Sequence, residues 1–435
     1  MVCGLCLSTY FIPIPLCSYL KHKILYKEEV STNNMTSEER HQARYLRRKA
    51  AREEHRREKL GQYDDFNRVA DYNSLYRAYK DARKGVTWKA SVQRYGLDLC
   101  KNLCKTHNAL IEGKDVRKGF IAFDLVERGK LRHIQSVHFA ERVPQKSLSQ
   151  NALMPVLSNS LIYDNGASRQ GMGVSHAIDR ATLFLREYYR EHGNEGYVLQ
   201  IDLKDYFGSI PHEPMKQLIR EKFTDEKIIR LTESFIDAFA DAKMQEVKKY
   251  KDIAMEYGDE YAKGLGLGSE ICQICAVSYP DKVDHYIKEK LRIRPYERYM
   301  DDSFIIHHDK ERLKEILEEI RGIYASLGIR LNEKKTKIVK LSRGFTFLKT
   351  HFILTDTGKV VKRICRESVT RERRKLKKFA KLNARGEMSF EQIREAYNSW
   401  KGYAAQKDAY RTIRNMDALF NRLFIENWVY SPQAA

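Results

Sequence analysis

Residues Arg298–Asp309 read RYMDDSFIIHHD, and the two adjacent acids within them, Asp301 and Asp302, govern how the rest of the chain is read. Tyr299 and Met300 precede the pair; Phe304, Ile305 and Ile306 follow it. Aromatic and β-branched residues of this kind favour strands. Neighbouring carboxylates repel each other when both are ionised. In a regular strand they would point to opposite faces, whereas at a hairpin tip both can approach one point. The stretch is therefore predicted to be a β-hairpin that gathers negative charge at its tip.

A second stretch, EGYVLQIDLKDYFGSIPH from Glu195, supplies a third acid. Tyr197, Leu199, Ile201 and Leu203 alternate with Val198, Gln200 and Asp202, the period of a strand. Asp202 falls near its end. Three carboxylates on neighbouring strands need cations, and Mg²⁺ suits them. It takes oxygen ligands from a few acids and completes its octahedron with water and substrate phosphates. With two such ions, one activates an attacking oxygen and the other stabilises a leaving oxygen, the arrangement of phosphoryl transfer.

The whole chain agrees with a polyanionic partner. Its 435 residues carry 79 Lys+Arg against 58 Asp+Glu, a formal charge of +21, and the positive charge is clustered, which favours nucleic acid. Hydrophobic residues make up 42%, enough for a sizeable core. The eight cysteines include two C-x-x-C pairs, Cys3/Cys6 and Cys272/Cys275, but no further Cys/His group stands near either to complete a zinc site. They are read as free thiols of a reducing compartment. The apolar opening MVCGLCLSTYFIPIPLCSYL is broken by Pro13 and Pro15 and lacks a basic start, so it reads neither as a membrane span nor as a signal peptide. Met35, followed by the capping candidates Thr36 and Ser37, is read as the natural start, with a short membrane-associating tail over residues 1–34 as the alternative.

Along the chain, residues 36–60 read as one basic, highly charged helix and 66–110 as helices. KGFIAFDLVERGKLRHIQSVHF, carrying Gly129, reads as a hairpin. Helices are expected over ERVPQKSLSQNALMPVL and after the glycine-punctuated YDNGASRQGMG, then over roughly 212–256, with 236–263 as a candidate surface insertion. GLGLGSEICQ opens another helix, and KERLKEILEEIRGIYASLG follows the acidic hairpin. Residues 366–427 read as helical and begin very basic. His307 and His308 are read as exposed polar residues.

These pieces resemble, in order, the motifs of reverse transcriptases of the compact single-chain bacterial kind found in retrons, group II introns, diversity-generating elements and phage-defence systems. The resemblance spans roughly residues 66–420. GKLRHIQSVHFAERVPQKSL and NGASRQGMGVSHAI are similar to the two finger motifs, YVLQIDLKDYF and YMDD to the palm motifs, and GLGLGSEICQ to the loop-helix motif between them. LGIRLNEKKTKIV is similar to the lysine-bearing motif, GFTFLKTHF to the primer grip, and SWKGYAAQKDAY to the thumb signature.

The resemblance implies an α+β right-hand polymerase with fingers, palm and thumb, its antiparallel palm sheet covered by helices on one face. It implies an RNA-directed DNA polymerase that uses two Mg²⁺ ions and dNTPs on an RNA template with a DNA primer or product. A dedicated non-coding RNA and an accessory protein are further candidate partners; a membrane is not, and the expected compartment is the cytoplasm. Asp202, Asp301 and Asp302 would hold the ions with the carbonyl of Leu203. Phe207 would be the sugar gate against a ribose 2′-OH. Arg169, Lys130 and Arg132 would grip the triphosphate, and Gly268 would let backbone approach the new base pair. Lys334 or Lys335 would protonate the leaving pyrophosphate; Phe347, Leu348 and Lys349 would steer the primer end.

The expected segments are 1–34 (apolar extension), 35–65 (basic helix), 66–196 (N-terminal helices and fingers), 197–355 (palm, with helices over 212–263) and 356–435 (basic thumb). Three positions depart from the family's usual residues. Leu267 stands in place of Gln, a change that in diversity-generating relatives accompanies relaxed base selection; Cys272 replaces Ser and Lys349 replaces Gly. Two rival readings are a non-catalytic RNA-binding scaffold and protein-primed or weakly templated DNA synthesis.

Overall fold

A computed structural model describes residues 36–127, 130–247, 263–266 and 268–426. The apolar extension, Cys3, Cys6, Met35, Leu267 and most of the candidate insertion lie outside them. The chain divides into two compact units, residues 1–62 and 63–435.

In the first unit Ser37–Leu60 forms a single helix. Thr36 caps it: its hydroxyl accepts the Glu39 N–H at 3.2 Å while the Glu39 carboxylate accepts the Thr36 N–H at 2.7 Å. This is a reciprocal capping box. The described side chains of the helix are almost all exposed, as its lack of an apolar face predicts.

The second unit centres on a four-stranded antiparallel sheet. In chain order its strands are β3 (Tyr197–Asp202), β4 (Tyr296–Tyr299), β5 (Asp302–His307) and β6 (Lys337–Lys340), arranged β4-β5-β3-β6. Before them, β1 (Phe120–Glu127) and β2 (Lys130–Val137) form the expected hairpin. After them, β7 (Phe345–Phe347), β8 (Thr350–Leu354) and β9 (Val360–Ile364) form a three-stranded antiparallel sheet.

Val198, Phe304 and Ile306 share a buried cluster with Phe184, Leu185 and Tyr188 of the Val174–His192 helix and with Phe345, Phe347 and Phe352 of the second sheet. Leu199, Ile201 and Ile305, which leave the sheet on its other side, are buried too. The Lys310–Ser326 helix packs on β3 and β5, burying Leu313, Ile316, Ile320 and Tyr324. Both faces of the central strands are therefore covered, where the sequence suggested helices on one face. The alternation in β3 places apolar residues on each side of the strand, so neither face is left to solvent.

The C-terminal helices Arg366–Ala384, Phe390–Ala405 and Tyr410–Asn421 have a core of their own around Leu376, Ile393, Tyr397, Trp400, Met416 and Phe420. The rings of Tyr397 and Phe420 stack at 4.7 Å. Ile364 of β9 joins that core. Of the two histidines after the acidic hairpin, His308 is exposed as expected and His307 is not. His307 is half-buried and stacks on His308 at 4.4 Å, which stacks on His192 at 5.0 Å, because the end of β5 lies beside the end of the Val174–His192 helix. Among the described residues no helix is long and apolar enough to cross a membrane.

Candidate active site

The sheet register assembles the three acids. β3 ends at Asp202 and β5 begins at Asp302, and the ladder pairs these two residues directly. Side chains directly opposed in an antiparallel pair share a face. Asp301 lies in the tight turn between β4 and β5, closed by the Tyr299–Asp302 pair. Met300, which opens that turn, has φ of 57°, a left-handed conformation costing a residue with Cβ roughly 1–2 kcal/mol.

Electrostatics at this tip are unbalanced toward negative charge. Burial, then the charges of Asp301 and Asp202, pushes the Asp302 carboxyl up to about 6, against the opposing pull of Lys335. Asp202 has both oxygens engaged: Oδ1 accepts Asn332 Nδ2 at 2.8 Å and Oδ2 accepts Lys335 Nζ at 2.6 Å. The ion pair in turn raises the Lys335 ammonium. The loop carrying both partners is tied to β3, since the Asn332 N–H donates to the Asp202 carbonyl at 2.8 Å and the Lys204 N–H to the Arg330 carbonyl at 2.8 Å. These two bonds form the Leu203–Leu331 bridge, and neither uses the Leu203 carbonyl.

Hard oxygen donors with surplus negative charge fit a divalent cation. Among the described residues no three His, Cys, Asp or Glu side chains already converge tightly enough to hold one. Lys335 serves instead as the local countercharge of Asp202. It is about half exposed.

The other predicted residues fall into three groups. Five residues after Asp202 in the chain, Phe207 is half-buried, its ring edge-on to Tyr206 and its carbonyl accepting the Leu265 N–H at 2.7 Å. Lys334 is exposed and lines a cavity of about 560 Å³ with Lys204, Arg330 and Asn332.

A second group belongs to the finger-like elements. Gly268 has φ of 118°, and a Cβ there would stand 3.4 Å from the Gln135 carbonyl of β2. That is ordinary van der Waals contact, so it is the backbone angle that calls for glycine. Lys130 and Arg132 lie on β2, paired with Glu127 and Leu125. The half-buried Arg169 uses Nη1 to hold the carbonyls of Ile162 and Asn165, each at 3.0 Å. In this conformation it braces its own loop.

The third group is the β7–β8 turn. Phe347 is buried against Phe304, whereas Leu348 and Lys349 form the turn itself with φ of 48° and 60°. Tyr403 of the Phe390–Ala405 helix donates its hydroxyl to the Lys349 carbonyl at 3.2 Å. The sequence reading gave no role to Asn332, although it lies inside the lysine-bearing motif. Arg298 and Asp284 also carried no role there; Arg298 sits in the strand YERY and Asp284 on the Asp281–His285 helix, and no local pattern links them.

Comparison with known proteins adds the following. The family model described as reverse transcriptase (RNA-dependent DNA polymerase) matches residues 116–352, more than half of the chain. Protein YkfC of Escherichia coli (strain K12) is 24% identical over 253 residues, covering 51% of this chain and 62% of that protein. Among solved structures, apo telomerase from Candida tropicalis truncated from its C-terminal domain matches at TM-score 0.40 and 16% identity, covering 56% of this chain and 54% of that one. Telomerase from Candida albicans in complex with a TWJ fragment of telomeric RNA matches at TM-score 0.42 and 12% identity, covering 71% and 55%. The chain thus spans less than two thirds of the length of each of these proteins.

Proposed function

The chain belongs to the reverse transcriptase family, and on that premise we propose that it is an RNA-templated DNA polymerase that adds dNTPs to a primer end. The observation that carries this reading is the pairing of Asp202 with Asp302 across β3 and β5, with Asp301 in the adjoining turn. Two Mg²⁺ ions would be held by these three carboxylates and the Leu203 carbonyl, supplying charge stabilisation to the attacking and leaving oxygens. The chain's own groups do the rest. Asn332 fixes the Asp202 carboxylate through Oδ1, which leaves Oδ2 to exchange Lys335 for another cation. Once displaced, the Lys335 ammonium would be the group to deliver a proton to a departing phosphate oxygen. Phe207, five residues after Asp202, would exclude a ribose 2′-hydroxyl.

In this reading residues 66–196 act as fingers, 197–355 as palm and 356–435 as thumb, in the cytoplasm. The Arg366–Ala384 helix, with Arg371, Arg373, Arg374, Lys375, Lys377 and Lys378, would grip the duplex backbone through salt-sensitive phosphate contacts.

Primer extension on an RNA template tests it. Wild-type protein with Mg²⁺ and dNTPs is expected to make template-dependent DNA. The Asp301→Ala/Asp302→Ala variant should lose at least about 10³-fold in rate, the scale of removing preorganised charge stabilisation. Phe207→Ala should raise ribonucleotide use by roughly 10- to 100-fold relative to dNTPs. Wild-type and double-variant proteins that are equally inactive on any RNA, including RNA copurified from cells, would leave the scaffold reading in its place.

A further inference from the structure

Arg298 is one of the largest fully buried side chains of the protein, 1% exposed, on β4 two residues before Met300. A guanidinium in an apolar interior costs several kcal/mol unless its donors are satisfied. Here Nε lies 2.8 and 3.0 Å from the two Asp284 oxygens, and Nη2 donates to Asp284 Oδ2 at 2.7 Å. Nη2 also reaches the Val277 carbonyl at 2.8 Å, and Nη1 the Met300 carbonyl at 3.2 Å. Asp284 is 0% exposed and accepts the Tyr296 hydroxyl at 2.6 Å and Asn165 Nδ2 at 3.4 Å. The main chain of Arg298 makes a parallel bridge with Asn165, its N–H donating to the Asp164 carbonyl at 3.1 Å.

The Arg298 side chain therefore ties together the Glu270–Ser278 and Asp281–His285 helices and the turn that carries Asp301, while its main chain joins them to the 164–165 loop. Stability alone is a poor reason for this arrangement, because well-packed apolar residues often replace a buried ion pair at no loss. An apolar residue cannot, however, donate to the Met300 carbonyl. That carbonyl belongs to the left-handed residue directly before Asp301, so the bond restrains the turn at the point where the acid's direction is set.

We propose that Arg298, held by Asp284, is a positioning residue that orients the Asp301–Asp302 turn for cation binding and joins it to the 162–169 loop braced by Arg169. The proposal rests on the polymerase reading, but its test does not require polymerisation. The side chain would act on the reaction only through the acids, as outer-shell partners of metal ligands do.

The test replaces the pair with apolar residues, Arg298→Met/Asp284→Leu, so that no buried charge is orphaned. Arg298→Lys serves as a second variant that keeps the charge and loses the fork. Mn²⁺ binding is followed by the electron paramagnetic resonance signal of free Mn²⁺, beside wild type and Asp301→Ala/Asp302→Ala. Thermal unfolding and primer–template affinity are measured on the same samples. Wild type should show Mn²⁺ binding that the double-alanine variant lacks.

Both pair variants should stay folded and bind primer–template as wild type does. Their Mn²⁺ affinity should fall by about 10- to 100-fold, and high Mn²⁺ should restore extension. A folded Arg298→Met/Asp284→Leu protein with wild-type Mn²⁺ affinity would overturn the positioning role and leave the polymerase reading intact. Wild-type Mn²⁺ binding equal to that of the double-alanine variant would overturn both.

Discussion

Two acid–cation pairs lie close to the same turn, and they are built in opposite ways. Asp284 and Arg298 have side chains 0% and 1% exposed, with every contact made to protein. Asp202 and Lys335 have side chains 12% and 52% exposed, and a single 2.6 Å contact joins them. The first pair can neither hydrate nor change partner without disrupting the packing around it. The second can exchange its lysine for another cation at little cost. If the site binds and releases ions as proposed, the sealed pair would hold the turn and the open pair would meet the ligand.

The sharpest way to break this contrast is to orphan one member of each pair. Asp284→Ala leaves Arg298 buried without its counterion and should cost about 3–5 kcal/mol of stability. Lys335→Ala, by contrast, should cost less than about 1 kcal/mol, as solvent screens the exposed lysine. Urea unfolding of the two variants side by side checks this. Equal losses would mean that the two pairs do not differ in kind.

A second test uses pH. Asp302 holds its proton up to about 6 in the folded chain, above the ordinary carboxylate range. Between that range and about 6 the folded state binds more protons than the unfolded state. Cation-free stability from this group should therefore be present at low pH and be lost as pH rises through about 6. Asp302→Asn should abolish that slope, and added Mg²⁺ should lessen it by stabilising the ionised form. Thermal unfolding at pH 5 and 7, with and without Mg²⁺, measures both effects.

The smallest expected effect belongs to a third buried acid that lacks a partner. Glu297 is 0% exposed and neither of its oxygens has a hydrogen-bond partner among the described residues. Burial first, then the charge of Asp164, pushes its carboxyl up to about 9, so it is protonated at neutral pH. The unfolded chain is ionised there, and folding must therefore take up a proton. Glu297→Gln removes that requirement and should raise stability at pH 7 by on the order of 1 kcal/mol. A clear destabilisation in urea would show that Glu297 is held as a working charge, like Asp284.

Much of the site was readable from residue order because the relevant patterns are local. Alternation around Asp202 marks a strand, and the apolar frame around Asp301 and Asp302 marks a hairpin. Thr36 and Ser37 were both cap candidates from their own neighbourhood, and the structure uses Thr36. What could not be read depended on packing. The second covered face of the sheet requires knowing that the Val174–His192 helix and β7–β9 come to one side of β3 and the Lys310–Ser326 helix to the strands as well. The stacking of His307 on His308 and His192 requires two chain ends to meet. The role expected of Arg169 came from its motif; the loop carbonyls it holds belong to a turn whose shape the motif does not encode.

The sequence by itself determined the acidic residues and the order of the elements, because side-chain type and strand or helix period are properties of short segments. Only the tertiary structure decided that Asp202 faces Asp302, since a one-residue slip of register would turn one of them to the other face. Only it decided that Lys335 rather than Lys334 reaches Asp202, and that Arg298 closes on Asp284. Those choices depend on long-range packing, which sets distances between residues that no local pattern relates.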